Sequence, residues 1–147
     1  MEEVLVTQAP FEPGAELAAF SGQAEGAGAV VSFTGVVRGG AVRLLEVEHY
    51  PGMTEAAVAA MAEEARGRFA LSAVRVIHRF GHLRAGEPIM MVLTAAPHRR
   101  AAFEAADFLM DWLKSRAPFW KREHGEAGAA WVEARAEDEA ALGRWVP

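Results

Sequence analysis

The stretch from Glu87 to Ala95 constrains the fold more than any other part of the chain. It is almost continuously apolar and reads as a central strand, and Pro97, two residues beyond it, opens a helix that runs to about Arg116. Ala102, Phe103, Ala106, Leu109, Met110 and Leu113 recur at helical spacing and form that helix's expected apolar face. Pro118 ends it, because proline removes a backbone donor and restricts the residue before it. The apolar run from Ile89 to Ala96 is far too short to span a bilayer.

The remaining elements surround this pair. Glu3 to Thr7 alternates as a short strand, and Glu12 to Phe20 makes a short helix after Pro13. Gly26 to Gly28 is a turn, and Ala29 to Val37 reads as a buried strand. Arg38, Gly39 and Gly40 form a loop with a permissive backbone, and Arg43 to Tyr50 is a strand stopped by Pro51 and Gly52. Thr54 is the expected N-cap of a helix reaching about Phe69, with Ala57, Val58, Met61 and Ala65 as its stripe. Val74 to Arg79 is a strand with Val74, Val76 and His78 on one face, and Gly81 to Gly86 a loop. Phe119 to Glu123 is extended, Ala130 to Arg135 a further strand, and Glu137 to Trp145 a last helix. Strands and helices mix without a regular βαβ rhythm, so the fold class is α+β, in one domain over residues 1–147.

Composition excludes whole classes of function. The net charge of −5 argues against a general affinity for nucleic acid, while leaving room for a local basic pocket that binds a small anion. There is no cysteine, so disulfides, thiolate metal sites and cysteine nucleophiles are ruled out. The start, Met1, Glu2 and Glu3, is acidic and lacks the basic and apolar regions of a signal peptide. The expectation is a cytoplasmic protein with no membrane partner.

Of the 15 Lys and Arg residues only Lys114 and Lys121 are lysine. Arginine replaces lysine at little cost on a solvated surface, but not where chemistry needs an amine that titrates. Lys114 lies in the last turns of the long helix, where a cation also suits the helix dipole. Lys121 follows Pro118, in a segment that would otherwise read as a solvated charge run with Arg122 and Glu123. Because Pro118 breaks the helix, the chain turns between the two lysines and they can flank one cavity. The apolar frame Ala117 to Trp120 favours function: a lysine packed beside aromatic rings loses solvation and its pKa falls. Such an amine serves as nucleophile or general acid–base.

His98, Arg99 and Arg100 stand at the start of the long helix, where the dipole disfavours cations unless an anion binds. A phosphate or carboxylate held by His98, Arg99 and free backbone N–H groups resolves that conflict. Arg38, at a strand end beside a Gly-Gly loop, suits the same purpose. His78 and His82 are four apart, but Phe80 and Gly81 between them argue against a helix and no cluster completes a ligand set, so no metal is expected. On the residues alone, a lyase forming a Schiff base on lysine and a non-catalytic anion-binding module stay open beside other lysine chemistry.

Several segments together resemble the large, catalytic subunit of molybdopterin synthase. They are Val31 to Arg38 (VSFTGVVR), Leu45 to Glu55 (LEVEHYPGMTE), Val76 to Gly81 (VIHRFG), Pro97 to Arg99 (PHR), Met110 to Lys114 (MDWLK), Ala117 to Glu123 (APFWKRE) and Trp131 to Arg135 (WVEAR). The resemblance runs from about residue 3 to Trp145 and is most specific in the EHYPGM and APFWK segments.

It implies an α/β hammerhead fold with an additional antiparallel β subdomain. It also implies a homodimer that binds a ubiquitin-like sulfur-carrier subunit at each end, giving a heterotetramer. The implied reaction converts cyclic pyranopterin monophosphate (precursor Z) to molybdopterin. Two dithiolene sulfurs are delivered as thiocarboxylate on the carrier's C-terminal Gly-Gly tail, and the enzyme itself carries no cofactor. A chain with no cysteine cannot hold that sulfur itself, which agrees with delivery by a partner. The resemblance makes Lys114 and Lys121 catalytic and assigns substrate contacts to Arg38 with Val36 and Val37, His98, Arg99, Arg122 and Glu123. Phe33 and Arg135 match pocket-lining positions. Val36 stands where some members carry a basic residue, and the loop after Arg38 is short. The expected division of labour has Lys114 as acid–base or transient acyl acceptor and Lys121 as stabiliser of negative charge.

Overall fold

The computed structural model describes residues 3–40, 42–125, 128–132 and 135–146. In chain order its elements are β1 (Val4–Thr7), α1 (Pro13–Gln23), β2 (Ala29–Val36), β3 (Val42–His49), α2 (Met53–Arg68), β4 (Ala73–Arg79), β5 (Gly81–Arg84), β6 (Pro88–Ala96), α3 (Arg99–Ser115), β7 (Phe119–Gly125), β8 (Gly128–Val132) and α4 (Ala136–Leu142), with a 3-10 turn at Gly143–Trp145. The class is α+β, built on two four-stranded sheets ordered β1-β4-β6-β2 and β5-β3-β7-β8. In the first sheet only β1 and β4 pair in parallel. The second is wholly antiparallel and forms the additional β subdomain.

The continuous apolar character of β6 follows from its place in the sheet. It lies inside the first sheet, with buried side chains on both faces. On one face Val92 joins Val74 and Val76 of β4 against Val58, Ala62 and Ala65 of α2 and Ala102, Ala105 and Leu109 of α3. On the other, Met91, Leu93 and Ala95 join Ile77 of β4 against Phe20 of α1. Thr94 points its hydroxyl at α3, donating to the carbonyl of Ala102 at 2.7 Å. A smaller core of Val37, Leu45, Val47 and Leu83, with Phe80, Ile89 and Phe119 beside it, fastens the second sheet to the first.

Five sequence expectations change. The segment from Gly81 begins with β5, whose four residues pair with β3 and bury Leu83, a tertiary contact that four residues cannot announce by periodicity. The expected buried strand from Ala29 is the edge strand β2, which ends at Val36 and leaves Val30, Phe33 and Val36 exposed. Phe103 shares the spacing of the apolar face of α3 yet is 61% exposed. Thr54 lies inside α2 and is fully buried; Gly52, at φ +84°, is the N-cap, and its N–H donates to the Glu55 side chain at 3.1 Å. The strand expected to reach Arg135 ends at Val132, Glu133 and Ala134 lie outside the described residues, and Arg135 precedes α4.

Candidate active site

Two backbone devices bring the lysines together. Lys114 is in the last turn of α3. The helix closes with the N–H groups of Arg116 and Ala117 donating to the Trp112 carbonyl, at 2.8 and 3.1 Å. The chain turns at Pro118 and enters β7, which pairs with β3 so that Phe119 faces His49 and Lys121 faces Val47. Phe119 and Lys121 share one face of β7, since alternate residues of a strand point the same way. The buried hydroxyl of Thr54 fixes the turn by donating to the Pro118 carbonyl at 3.0 Å while accepting from the Tyr50 N–H at 2.8 Å.

The resulting cleft lies where the two sheets and α3 meet. Lys114 and Lys121 line it with His78 from β4, Phe33, Gly35 and Val36 from β2, Ile89 and Met90 from β6, and Met110 and Leu113 from α3. Lys121 is partly buried, and burial with the like charge of Lys114 lowers its pKa to about 8, against a weaker opposing pull from Asp138. Lys114 is exposed, so the desolvated amine is Lys121. His78 is 2% exposed. Its ring stacks on Phe119, with centroids 3.7 Å apart and planes 15° from parallel, and its Nδ1 lies 2.8 Å from the Arg79 carbonyl oxygen. Burial, then the charge of Lys121, pushes the His78 pKa down to about 3, so the ring is neutral at working pH.

The other sequence candidates are dispersed. Phe33 and Val36 line the cleft, whereas Val37 is buried in the core that joins the sheets. Arg38 is exposed beyond the end of β2, outside the cleft lining. Arg122 points to the opposite face of β7 from Lys121, its guanidinium 4.2 Å from the centroid of the Trp131 ring. Glu123 is exposed, and Arg135 is exposed and pairs with Glu137 at 3.2 Å. His98 and Arg99 are exposed at the start of α3. Fifteen residues of helix place Arg99 about 22 Å from Lys114, so one chain does not bring those two groups to one ligand. His78 lines the cleft, although its spacing to His82 suggests only a metal ligand; its strand face is visible in the sequence, but its stack on Phe119 joins residues 41 positions apart. Among the described residues, no group of three or more His, Asp or Glu is placed to hold a metal ion.

The family model described as MoaE protein matches residues 6–116. The chain belongs to the MoaE family. The molybdopterin synthase catalytic subunit of Cereibacter sphaeroides is 62% identical over 144 residues, covering 97% of this chain and 99% of that one. Among solved structures, the molybdopterin cofactor biosynthesis protein E of Burkholderia multivorans superposes with a TM-score of 0.83 at 44% identity, covering 99% of this chain and 97% of that one. A Helicobacter pylori structure, described as a complex of subunits 1 and 2 of molybdopterin-converting factor, matches with a TM-score of 0.79. Its identity is 18% over 91% of this chain and 92% of that one, so it speaks to the fold alone. The MoaE model stops two residues after Lys114 and short of Lys121, whereas the Cereibacter sphaeroides relative matches over nearly the whole chain. No helix of the described residues is long and apolar enough to cross a membrane.

Proposed function

We propose that this chain is the catalytic subunit of a molybdopterin synthase, converting cyclic pyranopterin monophosphate to molybdopterin with sulfur delivered by a small carrier subunit. The observation that carries the reading is the cleft in which the partly buried amine of Lys121, at a pKa of about 8, sits near the exposed Lys114. The absence of cysteine agrees with sulfur that arrives on a partner. The carrier's extended tail enters beside the lysines, partly through backbone pairing. Its thiocarboxylate sulfur attacks an oxygen-bearing side-chain carbon of the pterin; the new C–S bond replaces a C–O bond, whose oxygen departs with the bonding pair and takes up a proton, leaving a thioester between carrier and substrate. Water then cleaves the acyl–sulfur bond; the acyl group departs as the carrier's carboxylate and the sulfur stays on the pterin. Neutral Lys121 accepts the proton of the attacking water, and the Lys114 ammonium stabilises the oxyanion on the acyl carbon. This reverses the division of labour expected from sequence, because burial favours Lys121 as the base. A second carrier repeats the cycle for the second sulfur.

The assembly is a cytoplasmic heterotetramer: a homodimer of this chain with one carrier at each end. The distance of about 22 Å along α3 supports the dimer. His98 and Arg99 reach a phosphate bound beside Lys114 only if they come from a second copy. Arg38, two residues beyond Val36, is the phosphate contact from the same chain.

The test mixes the purified protein with thiocarboxylated carrier and precursor Z and assays molybdopterin. The parent forms product, and Lys114→Ala and Lys121→Ala do not, although both bind carrier. Substantial turnover by either variant sinks the assignment. Mixing Lys121→Ala with Arg99→Ala restores product if the site is shared between copies, and no recovery rules out the shared site.

A further inference from the structure

We infer that His78 belongs to the working surface of the cleft, where its Nε2 accepts a hydrogen bond from an N–H or O–H group of the bound heterocyclic substrate. The inference rests on the synthase reading for the identity of that substrate, but its geometry is independent of it.

Three observations converge. First, the partner of Nδ1 is a backbone carbonyl oxygen, which can only accept, so Nδ1 must carry the ring proton. A neutral ring with its proton on Nδ1 has a bare lone pair on Nε2. Second, Nε2 has no hydrogen-bond partner among the described residues, although the side chain is almost completely buried. Nε2 is not among the fully enclosed side-chain atoms that lack a partner, so it is reached from the cleft, where a donor on a ligand can meet it. Third, His78 lines the same cleft as both lysines. The stack on Phe119 holds the ring plane, so the acceptor is aimed before substrate arrives.

The charged surroundings keep it an acceptor. Lys121 from β7, Lys114 from α3 and His49 from β3 all disfavour a positive imidazole, and only the Arg79 carbonyl on its own strand favours one. The ring therefore stays neutral across the working range, a polar acceptor between two amines that can only donate when charged.

The discriminating pair is His78→Phe and His78→Gln. Phenylalanine keeps a ring to stack on Phe119 and removes the acceptor, whereas glutamine restores an acceptor without a ring. The expected result is a fall of tenfold or more in kcat/KM for His78→Phe, with its fold and carrier binding retained. His78→Gln recovers at least a third of the loss, and the midpoint of the pH–rate profile stays where the parent has it. Turnover of His78→Phe within twofold of the parent overturns the inference, as does equal impairment of both variants, which would make the stack the cause. A moved midpoint also overturns it, because His78 would then act through Lys121. An imidazole ¹⁵N spectrum near pH 7 tests the geometry without any turnover: a proton on Nδ1 and a bare Nε2 is expected, and an Nε2–H or doubly protonated ring refutes the acceptor. A parent protein that makes no molybdopterin while showing the expected spectrum would count against the synthase reading and not against the state of His78.

Discussion

The hydroxyl of Thr54 reaches across from the first turn of α2 to the carbonyl of Pro118, 64 residues away in the chain, and holds the bend between Lys114 and Lys121. The bond is 3.0 Å long and made by a fully buried side chain, and it couples the position of Lys121 to α2, which contributes no residue to the cleft lining. Thr54→Val keeps the shape and leaves the Pro118 carbonyl and the Tyr50 N–H unpaired. The expected loss of stability is about 1–3 kcal/mol, read by denaturant unfolding. Activity is expected to fall further than that loss explains, and Thr54→Ser is expected to retain most of both. A Thr54→Val protein with parental stability and turnover would show that the bend is held by packing alone.

Lys121 titrates at about 8 because it is desolvated and faces Lys114. If its neutral form is the base, the rate rises as the pH passes through about 8 and levels above it. Removing Lys114 removes a like charge, so the Lys121 pKa moves upward in Lys114→Ala. The check is the pH dependence of amine acylation at Lys121, followed by mass spectrometry, which needs no turnover. A midpoint that stays put or falls in the variant contradicts the proximity of the two amines.

His78 makes a separate contribution to acid stability. Its folded pKa, about 3, lies well below its ordinary value of 6.5, so the unfolded chain binds more protons between those limits. The stability it contributes is fully present above pH 6.5 and is lost as the pH falls toward about 3. The paired carboxylates Glu46 and Glu137, both held below 4.5, act only in the lower part of that range. Between pH 6.5 and 4.5 the unfolding free energy of His78→Phe is therefore expected to depend less on pH than that of the parent. Parallel curves for the two proteins would mean that the histidine is not buried as described.

Gly28 is placed where no side chain fits. A Cβ there would stand 2.3 Å from the carbonyl oxygen of Pro97, and the Gly28 N–H donates to Ala96 at 3.0 Å. The obstacle is backbone at the start of α3, which cannot swing aside as a side chain would. Gly28→Ala is expected to cost about 1–3 kcal/mol and to disturb the approach to His98 and Arg99. Thermal unfolding measures the first and phosphate competition the second; an unchanged melting temperature would contradict the close approach.

Some elements were legible because their signals are local. β6 showed in an apolar run of strand length, and α3 in its periodicity with a proline at each end. The lysines stood out because 13 of the 15 basic residues are arginine and the two exceptions flank Pro118. Other features lacked a local signal. β5 is four residues long and exists through its pairing with β3. Thr54 carried the composition of a helix cap, yet its oxygen serves a distant carbonyl. Phe103 keeps helical register with Ala102 and Ala106 but lies on the exposed side, where nothing in the described chain covers it.

The sequence by itself determined the α+β class, the chemistry denied to a chain without cysteine, and the pair of amines, Lys114 and Lys121, that stand alone among the arginines. Those follow from composition and from periodicities that repeat within one helix or strand. Only the tertiary structure decided which amine is desolvated and that His78 stands neutral beside both. Desolvation and ring stacking are properties of segments brought together across the fold, as when His78 of β4 meets Phe119 of β7.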